Sequence, residues 1–580
     1  MRIGLVYPPA KNRNNECFPL PSGSLAVLAG GLRRAGHEVL FFDFDIRFHA
    51  KLRDARLREV LGVLTGRETV PDYLRGELPA GEAAKVRRVK RMILGSLPLE
   101  RCDLYGITLA DLMKDLFLLN SAALIAEEIR NSVHAPVVLG NDGLPKDAYR
   151  DILGRYPVFN YATWSSRGES ALLRLLDQLR GREGRLIQTL VRDDVSIKEY
   201  TALPPMTTCT SPDYAGYPLE EYKVGAESLS QRYDIDFRLL RALGSSPAGR
   251  RAQLIVLYNF ESTCRGRCAF CTTGGAEVTD RKNAEEIVDD LLALKKLGVT
   301  GVFFINPSFN NDYDFTDTLC DRMIEADLDL QWTDCANFRE LDETLLRKMR
   351  RAGAVKLVFG METASDRLLK YIRKGVTRNR IERYLQLSHE LGIWNHIELI
   401  AGFPTETDED VRETVAFIRR NAPRVETYAL NAFYLYPGAP FYREAAAFGI
   451  RPHLEGPAVQ DYFATDAGVG NISEKFDEIG GLGWPEKSLQ IRGAARAVSG
   501  AIAEVSSFGA IDHDHIHLLL YLYRLLGHSN KETIRRIFKR CVRRFKPYHT
   551  ADFYTCDRFH KLDYVRYAQA ADGPREGCTA

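Results

Sequence analysis

One short loop constrains this chain more than any other stretch: Phe260-Glu-Ser-Thr-Cys264-Arg-Gly-Arg-Cys268-Ala-Phe-Cys271. Its three cysteines, at x3 and x2 spacing, directly follow an apolar run, Leu254-Ile-Val-Leu-Tyr-Asn-Phe260, that reads as a buried strand. A compact loop can turn three such thiolates toward one point, which suits an iron–sulfur cluster held by cysteine ligands. Only three cysteines are close by, so a four-iron cluster would keep one iron without a protein ligand. A structural zinc site wants a fourth Cys or His in a second nearby pair, and none follows. The spacing favours the cluster.

At 580 residues the chain is too long for a single core, so two or three domains are expected. Basic and acidic residues nearly cancel, 79 against 77, which gives no global sign of nucleic-acid binding. Met1 to Pro9 reads as a strand and turn rather than a signal peptide. No apolar run approaches the roughly 18 residues a membrane span needs. Eleven cysteines show no disulfide-like pattern, so a reducing cytoplasm is the expected setting.

Residues 1–195 alternate strand-like and helix-like stretches. Strands are expected at Arg2 to Tyr7, Val39 to Asp43, Asp103 to Thr108 and Pro136 to Gly140, with a weak fifth at Phe159 to Thr163. Helices are expected over Ser24–Ala35, Phe117–Ile129 and Ser170–Leu179, with a charged helical insertion near 50–95. Repeated βα units of this size imply a doubly wound, Rossmann-like parallel sheet with ligands at the carboxyl ends of its strands. Residues 196–250 read as a linker, broken by Pro204, Pro205, Pro212 and Pro218. From 251 to 450 strand starts near 254, 299, 330, 354, 394 and 427 give six βα units, a partial barrel whose reactive residues would lie at the carboxyl ends. Asn283 with Glu286 and Thr407 with Asp410 have the relation of helix capping boxes. Residues 451–580 are expected to form a helical C-terminal domain.

The cysteine loop, with Phe270 just before Cys271, resembles the signature of the radical S-adenosylmethionine (SAM) superfamily. In that superfamily Cys264, Cys268 and Cys271 would hold a [4Fe-4S] cluster whose open iron chelates SAM. An electron from the cluster then cleaves SAM to a radical that abstracts a substrate hydrogen. Further fragments agree in order and spacing. Gly360-Met-Glu362-Thr363 is similar to a Gly-x-Glu-Ser strand end, and Gly402-Phe-Pro404-Thr-Glu406-Thr407 to a turn lying against SAM. Tyr436-Pro-Gly438-Ala-Pro440 looks like the exit of the sixth strand. The Gly-Gly-Glu motif of other branches is absent, and Asn306-Pro-Ser-Phe309 stands in its place. The resemblance implies cofactor contacts from Phe270, Asn306, Arg339, Glu362, Thr363, Gly402 and Pro404.

The first third resembles the cobalamin-binding-type domain that precedes the barrel in one large subclass. Pro21-Ser-Gly-Ser to Ala29 looks like its opening, and Arg167-Gly-Glu-Ser170 like its closing element. No Asp-x-His-x-x-Gly occurs, so a histidine beneath the cobalt is not expected. Asn141 stands where that subclass often has glycine, and a side chain there would narrow the space for a large planar cofactor.

Three further residues are candidates for catalysis. His396 and Glu398 alternate onto one face of the fifth barrel strand. Facing inward they would bind substrate or move protons; facing outward Glu398 would pair with a helix, and a charge buried in a strand needs a partner either way. Cys335 closes the third strand, where a thiol could give a hydrogen atom to a substrate radical, although a lone Cys is more often a small buried hydrophobe. Asp512-His-Asp-His-Ile-His517 reads as an N-cap for the apolar helix at 518–526 rather than a metal site. Lys531–Lys546 reads as an amphipathic helix with a basic face, a possible dock for an anionic substrate or peptide leader.

The implied protein is a cobalamin-dependent radical SAM methyltransferase acting on an unactivated carbon of a natural product or peptide. The alternative is a radical SAM epimerase, cyclase or rearrangement enzyme that keeps the cobalamin-type fold without methyl transfer. Expected partners are a small-molecule or peptide substrate and an electron donor such as flavodoxin or ferredoxin, with neither membrane nor nucleic acid.

Overall fold

The computed structural model describes residues 1–10, 18–51, 54–95, 97–109, 116–140, 146–193, 196–204, 209–237, 252–275, 280–436, 438–453, 475–506 and 515–543. The first sheet begins with five parallel strands, β1 (Arg2–Tyr7), β2 (Glu38–Asp43), β3 (Leu104–Thr108), β4 (Val137–Gly140) and β5 (Tyr161–Thr163). Their order is β2-β1-β3-β4-β5, the doubly wound arrangement expected from the sequence. The order reverses between β1 and β3, and a ligand crevice opens outside the carboxyl ends at such a point. Near-continuous apolar strands such as Ile3, Leu5, Val6 and Leu104 are buried on both faces, as a parallel sheet requires. The charged insertion is four helices, Phe44–Lys51, Asp54–Leu64, Thr69–Arg75 and Ala80–Leu94. They bury Phe48, Val60, Leu64, Val86 and Ile93 in a core shared with the helix Leu116–Glu128.

An antiparallel hairpin, β6 (Thr189–Arg192) and β7 (Ile197–Tyr200), completes the first sheet beyond β5. This sheet therefore runs past the boundary at 195 expected from the sequence, with β7 in the stretch expected to be linker. Four-residue edge strands carry too little alternation to be seen, and Ile197-Lys-Glu-Tyr200 is half polar. The linker proper ties the two sheets together. Tyr217 and Tyr222 donate their hydroxyls to Asp43 at the end of β2, and Tyr214 donates to the Leu257 carbonyl in the first strand of the second sheet at 2.9 Å.

That second sheet is six parallel strands in strict chain order, β8 (Ile255–Tyr258), β9 (Gly301–Phe304), β10 (Gln331–Ala336), β11 (Ala354–Glu362), β12 (Trp394–Ala401) and β13 (Thr427–Ala432). Both expected capping boxes form, at Asn283 and Thr407. The C-terminal helices do two different jobs. Trp484–Val505 packs against β12, β13 and the helix Asp408–Asn421. Ile516–Leu526 and Lys531–Val542 close the amino end of the barrel, where Leu518, Leu520 and Phe538 share a core with Ile255, Val355 and Trp394. The approach is close: a Cβ on Gly301 would come 2.9 Å from the Leu520 Cδ1. The expected cap at Asp512 or Asp514 lies outside the described residues, and His515 stands at the N-cap position with its Nδ1 2.8 Å from the Tyr233 hydroxyl. Among the described residues no helix is long and apolar enough to cross a membrane.

Candidate functional site

The carboxyl ends of β8–β13 meet around the cysteine loop, and asparagines hold that loop in place. Asn306, just after β9, accepts from the Phe260 and Glu261 amides at 3.0 and 3.1 Å and donates to Asp334 at 2.7 Å. Asn311 donates to Glu261 Oε1 at 2.9 Å and to the Thr263 carbonyl at 3.1 Å, and accepts from the Arg265 amide at 2.9 Å. Asn310 and Asn337 bridge the loops after β9 and β10, with Asn310 donating to the Asn337 and Glu340 carbonyls at 2.7 Å each. Irregular backbone beside a barrel mouth needs such partners for its amides. Of these side chains only Asn306 was marked by the sequence, as a cofactor contact. Its amide bonds the loop and Asp334.

The thiols of Cys264, Cys268 and Cys271 are each half-buried. The Gly266 amide donates to Cys264 Sγ at 3.3 Å, and Cys271 Sγ lies 3.2 Å from the Thr273 hydroxyl. Among the described residues no three His, Cys, Asp or Glu side chains converge on a single ion. Three half-open thiols in one loop suit a polynuclear cluster with one thiolate per iron.

Glu362 ends β11 in left-handed backbone, φ 70°, a strained conformation for a residue with a side chain. Its carboxylate is buried and accepts from Lys374 Nζ at 2.7 Å. Burial pushes the Glu362 carboxyl up, and the Lys374 charge works against that. Lys374 also sits 5.7 Å from the Phe270 ring centre. Burial raises the Cys268 thiol while Lys374 and Arg339 oppose it. Arg339 lies over Gly266, where any Cβ would come 2.5 Å from its Nη2. The structure therefore gathers Phe270, Arg339 and Glu362 around Cys268, and adds Lys374. No sequence signal marked Lys374, because a lysine in Arg373-Lys-Gly375 reads as an exposed turn.

The Gly402–Thr405 turn lies on the other side of the loop, with Phe403 and Phe270 ring centres 5.9 Å apart. Gly402 has φ 90°, and a Cβ there would strike Ile491 at 2.6 Å. Glu406 accepts from the Gly402 amide at 2.6 Å and Glu478 from the Thr405 amide at 2.8 Å. The wholly buried Lys487 donates to the Phe403 carbonyl at 2.7 Å and pairs with Glu478 at 2.7 Å. Pro404, within the turn, is buried. Thr363, expected at the cofactor, has its hydroxyl 3.3 Å from that of Thr414, and it accepts from the Ser365 amide at 3.2 Å.

Asn395 donates to the carbonyls of Leu385 and Arg424 on the helical side, so alternation turns its neighbour His396, and with it Glu398, into the barrel. His396 Nε2 lies 3.0 Å from Glu398 Oε1 and Nδ1 2.8 Å from the Thr427 hydroxyl. His396 is wholly buried, whereas Glu398 is 29% exposed. Glu398 thus faces the barrel interior, partly exposed, with buried His396 as its neighbour. Cys335 is exposed yet walled in by protein, and burial, with Asp334 and Glu398 adding, pushes its thiol up to about 12. Such a thiol stays protonated at neutral pH. Lys356, fully buried, acts against that rise.

In the first sheet, register aligns Thr108, Gly140 and Thr163 across the carboxyl ends of β3, β4 and β5. A Cβ on Gly140 would meet nothing nearer than Thr163 Cγ2 at 3.4 Å. Only Gly140 in this row lacks a side chain, and both threonines are buried. Asn141 lies outside the described residues. Arg167 pairs with Asp280, whose Oδ2 also accepts from the Ser262 hydroxyl at 3.0 Å, and Glu169 accepts from the Thr210 hydroxyl at 3.0 Å. The Arg-Gly-Glu element therefore joins the first domain to the linker and to the cysteine loop.

Residues 258–418 match the family model of the Radical SAM superfamily. The chain is similar to an uncharacterized methyltransferase of Pyrococcus horikoshii, 26% identical over 161 residues, 27% of this chain and 35% of that protein. It is also similar to the cytidylyl-2-hydroxyethylphosphonate methyltransferase of Streptomyces wedmorensis, 27% identical over 145 residues, 24% of this chain and 27% of that protein. The aligned stretch thus spans about a third of such relatives. Two solved structures share the fold over nearly the whole chain. The methyltransferase TsrM from Kitasatospora setae, with cobalamin and a [4Fe-4S] cluster bound, has TM-score 0.53 and 15% identity, covering 92% of this chain and 98% of that one. OxsB, with aqua-cobalamin and SAM bound, has TM-score 0.53 and 14% identity, covering 97% and 76%.

Proposed function

We propose that the chain, whose residues 258–418 match the Radical SAM superfamily model, is a cobalamin-dependent radical SAM methyltransferase acting on an unactivated carbon in a reducing cytoplasm. One observation carries the reading. A doubly wound sheet with small residues along its carboxyl ends is joined, through Arg167 and Asp280, to the loop that holds three half-open cysteines. In this reading Cys264, Cys268 and Cys271 hold a [4Fe-4S] cluster, and the row Thr108–Gly140–Thr163 carries the cobalamin. When bound, these groups supply the electron that cleaves SAM and the methyl that is transferred.

The chain's own residues bind and orient. Arg339 and Lys374 present cations beside Cys268 for the SAM carboxylate, and Glu362, polarised by Lys374, accepts from a SAM hydroxyl or amine. The Gly402–Pro404 turn offers backbone to the adenosine, where the absence of a side chain on Gly402 permits close approach. Glu398, held by His396, takes a donor group of the substrate in the lumen. Cys335 keeps its thiol protonated beside Glu398; methylation consumes the substrate radical with the methyl group, so a hydrogen atom from this thiol would be called on only in the radical-only alternative. The substrate is a small molecule or peptide able to enter the barrel mouth.

The test is direct. Protein reconstituted anaerobically with iron, sulfide and hydroxocobalamin should hold about four irons, retain a corrinoid, and cleave SAM only under reduction. Cells making it and fed methionine with a deuterated methyl should accumulate a product bearing the label. Cys264→Ala, Cys268→Ala and Cys271→Ala should each abolish SAM cleavage. Cleavage without bound corrinoid or labelled product would replace methylation with a radical epimerisation, cyclisation or rearrangement.

A further inference from the structure

The strands of the second sheet alternate between two surroundings. Phe304, Leu357, Ile397 and Leu430 join the core under the outer helices, so their neighbours Phe303, Lys356, Glu398 and Asn431 face the barrel interior. The sheet curls until those inward faces meet. Ile255 of β8 and Trp394 of β12 share one core with Leu520 of the plugging helix, and Phe303 packs against it. Register then builds the lumen above that floor. Lys356 is level with Thr333 of β10, and Thr333 with Phe303 of β9. Cys335 stands one inward step higher, Glu398 beyond His396, and Asn431 of β13 higher still, level with Ile400. Ile305, whose amide donates to the Tyr258 carbonyl at 3.0 Å, continues the inward face of Phe303 and is 49% exposed.

The charges in this lumen oppose one another. Lys356 is wholly buried and Glu398 partly exposed. The Cys335 thiol feels both, Glu398 driving it up and Lys356 drawing it down. The carboxylate of Glu398 also has His396 Nε2 at 3.0 Å. A substrate ammonium would add a cation where the carboxylate already has such neighbours. A substrate carboxylate or phosphate would meet Glu398, with Lys356 enclosed below. Either charge would leave water without a partner of its own, which is costly. What solvent reaches on the inward face is otherwise apolar or neutral, chiefly Ile305, Cys335 and Asn431.

We propose that the part of the substrate entering the barrel carries no formal charge: an apolar body lies against Ile305 and Phe303, and a hydroxyl or amide donates to Glu398 and bonds Asn431. This rests on the lumen being the substrate site of the function proposed above, and it narrows the substrate class. Any ammonium, carboxylate or phosphate of the same molecule stays outside the barrel mouth.

The experiment uses the reconstituted holoenzyme with SAM and three probes that share one aromatic body: 2-phenylethanol, phenethylamine as its ammonium, and 3-phenylpropionate. Saturation-transfer NMR gives their dissociation constants at neutral pH. The alcohol should bind about tenfold or more tighter than either ion. Ile305→Ser should weaken the alcohol by about tenfold, the loss of one buried aliphatic side chain. Glu398→Gln leaves the Lys356 charge unopposed, so phenylpropionate should gain on phenethylamine. Asn431→Leu, at an exposed position, should weaken the alcohol and decides the matter if Glu398→Gln loses iron. Either ion binding as tightly as the alcohol, no binding of the alcohol, or alcohol binding that none of the variants changes would overturn the proposal. Native holoenzyme that fails to cleave SAM under reduction would instead sink the radical SAM reading beneath it.

Discussion

Lys374 Nζ lies 2.7 Å from Glu362 Oε1, and both side chains are almost wholly enclosed beside Cys268. Breaking a buried pair strands its partner's charge. Lys374→Met should therefore destabilise the fold by roughly 3–5 kcal/mol, whereas removing both charges by Lys374→Met with Glu362→Gln should recover most of that. Urea unfolding of the three proteins checks it. SAM affinity should stay weak in the double variant even where stability returns, because the site would still lack its cation and carboxylate.

Asn311 bonds three separate points of the cysteine loop. Asn311→Ala leaves buried groups unpaired at a cost of about 1–3 kcal/mol, and the loss falls where the ligands are set. Iron per chain after reconstitution should drop well below that of the native protein, while the circular dichroism of the fold is kept. Full iron occupancy would show that the loop holds its shape without this side chain.

Asp43 makes stability depend on pH. Burial, reinforced by Asp45, raises its carboxyl to about 6, although Tyr217 and Tyr222 donate to it. The folded state thus binds the proton more tightly than the unfolded chain does. Its contribution is complete below about pH 4 and is lost as pH rises through 6, an effect of about 3 kcal/mol. Asp43→Asn should remove that slope between pH 4 and 6 from the unfolding free energy. An unchanged slope would assign it to another group.

Lys487 reaches the Gly402–Thr405 turn from a helix more than eighty residues away in sequence. Lys487→Met should raise the KM for SAM in reductive cleavage with little change in kcat or iron content, and Lys487→Arg should restore part of it. Gly402→Ala should be worse, since the new methyl meets both Ile491 and a left-handed backbone. Equal losses in kcat and KM across these variants would point to general misfolding of the turn.

Reading the sequence located β8 to β13 within two residues at their starts because the strands recur between helical stretches at βα spacing, although β10, β12 and β13 carry polar residues such as Asp334, Asn395 and Asn431. Cys264, Cys268 and Cys271 were legible for a different reason: chemistry fixed their spacing. What stayed hidden was anything decided by long-range contact. Lys374, Asn311 and Lys487 are polar residues in unremarkable local contexts, and only folding brings them to the loop and the turn. His396 and Glu398 could be assigned to one face but not to the inner one, since Asn395 settles that by bonding Leu385 and Arg424. Thr363 follows the left-handed Glu362, and its hydroxyl lies against that of Thr414.

The helix Ile516–Leu526 plugs the amino end of the barrel, with Leu520 against Gly301 and Arg524 donating to the carbonyls of Thr300 and Asp329. A barrel stopped at that end has no passage straight through it. Anything bound at the carboxyl ends of the strands would have to come and go on their own side or through the seam between β8 and β13, which do not pair.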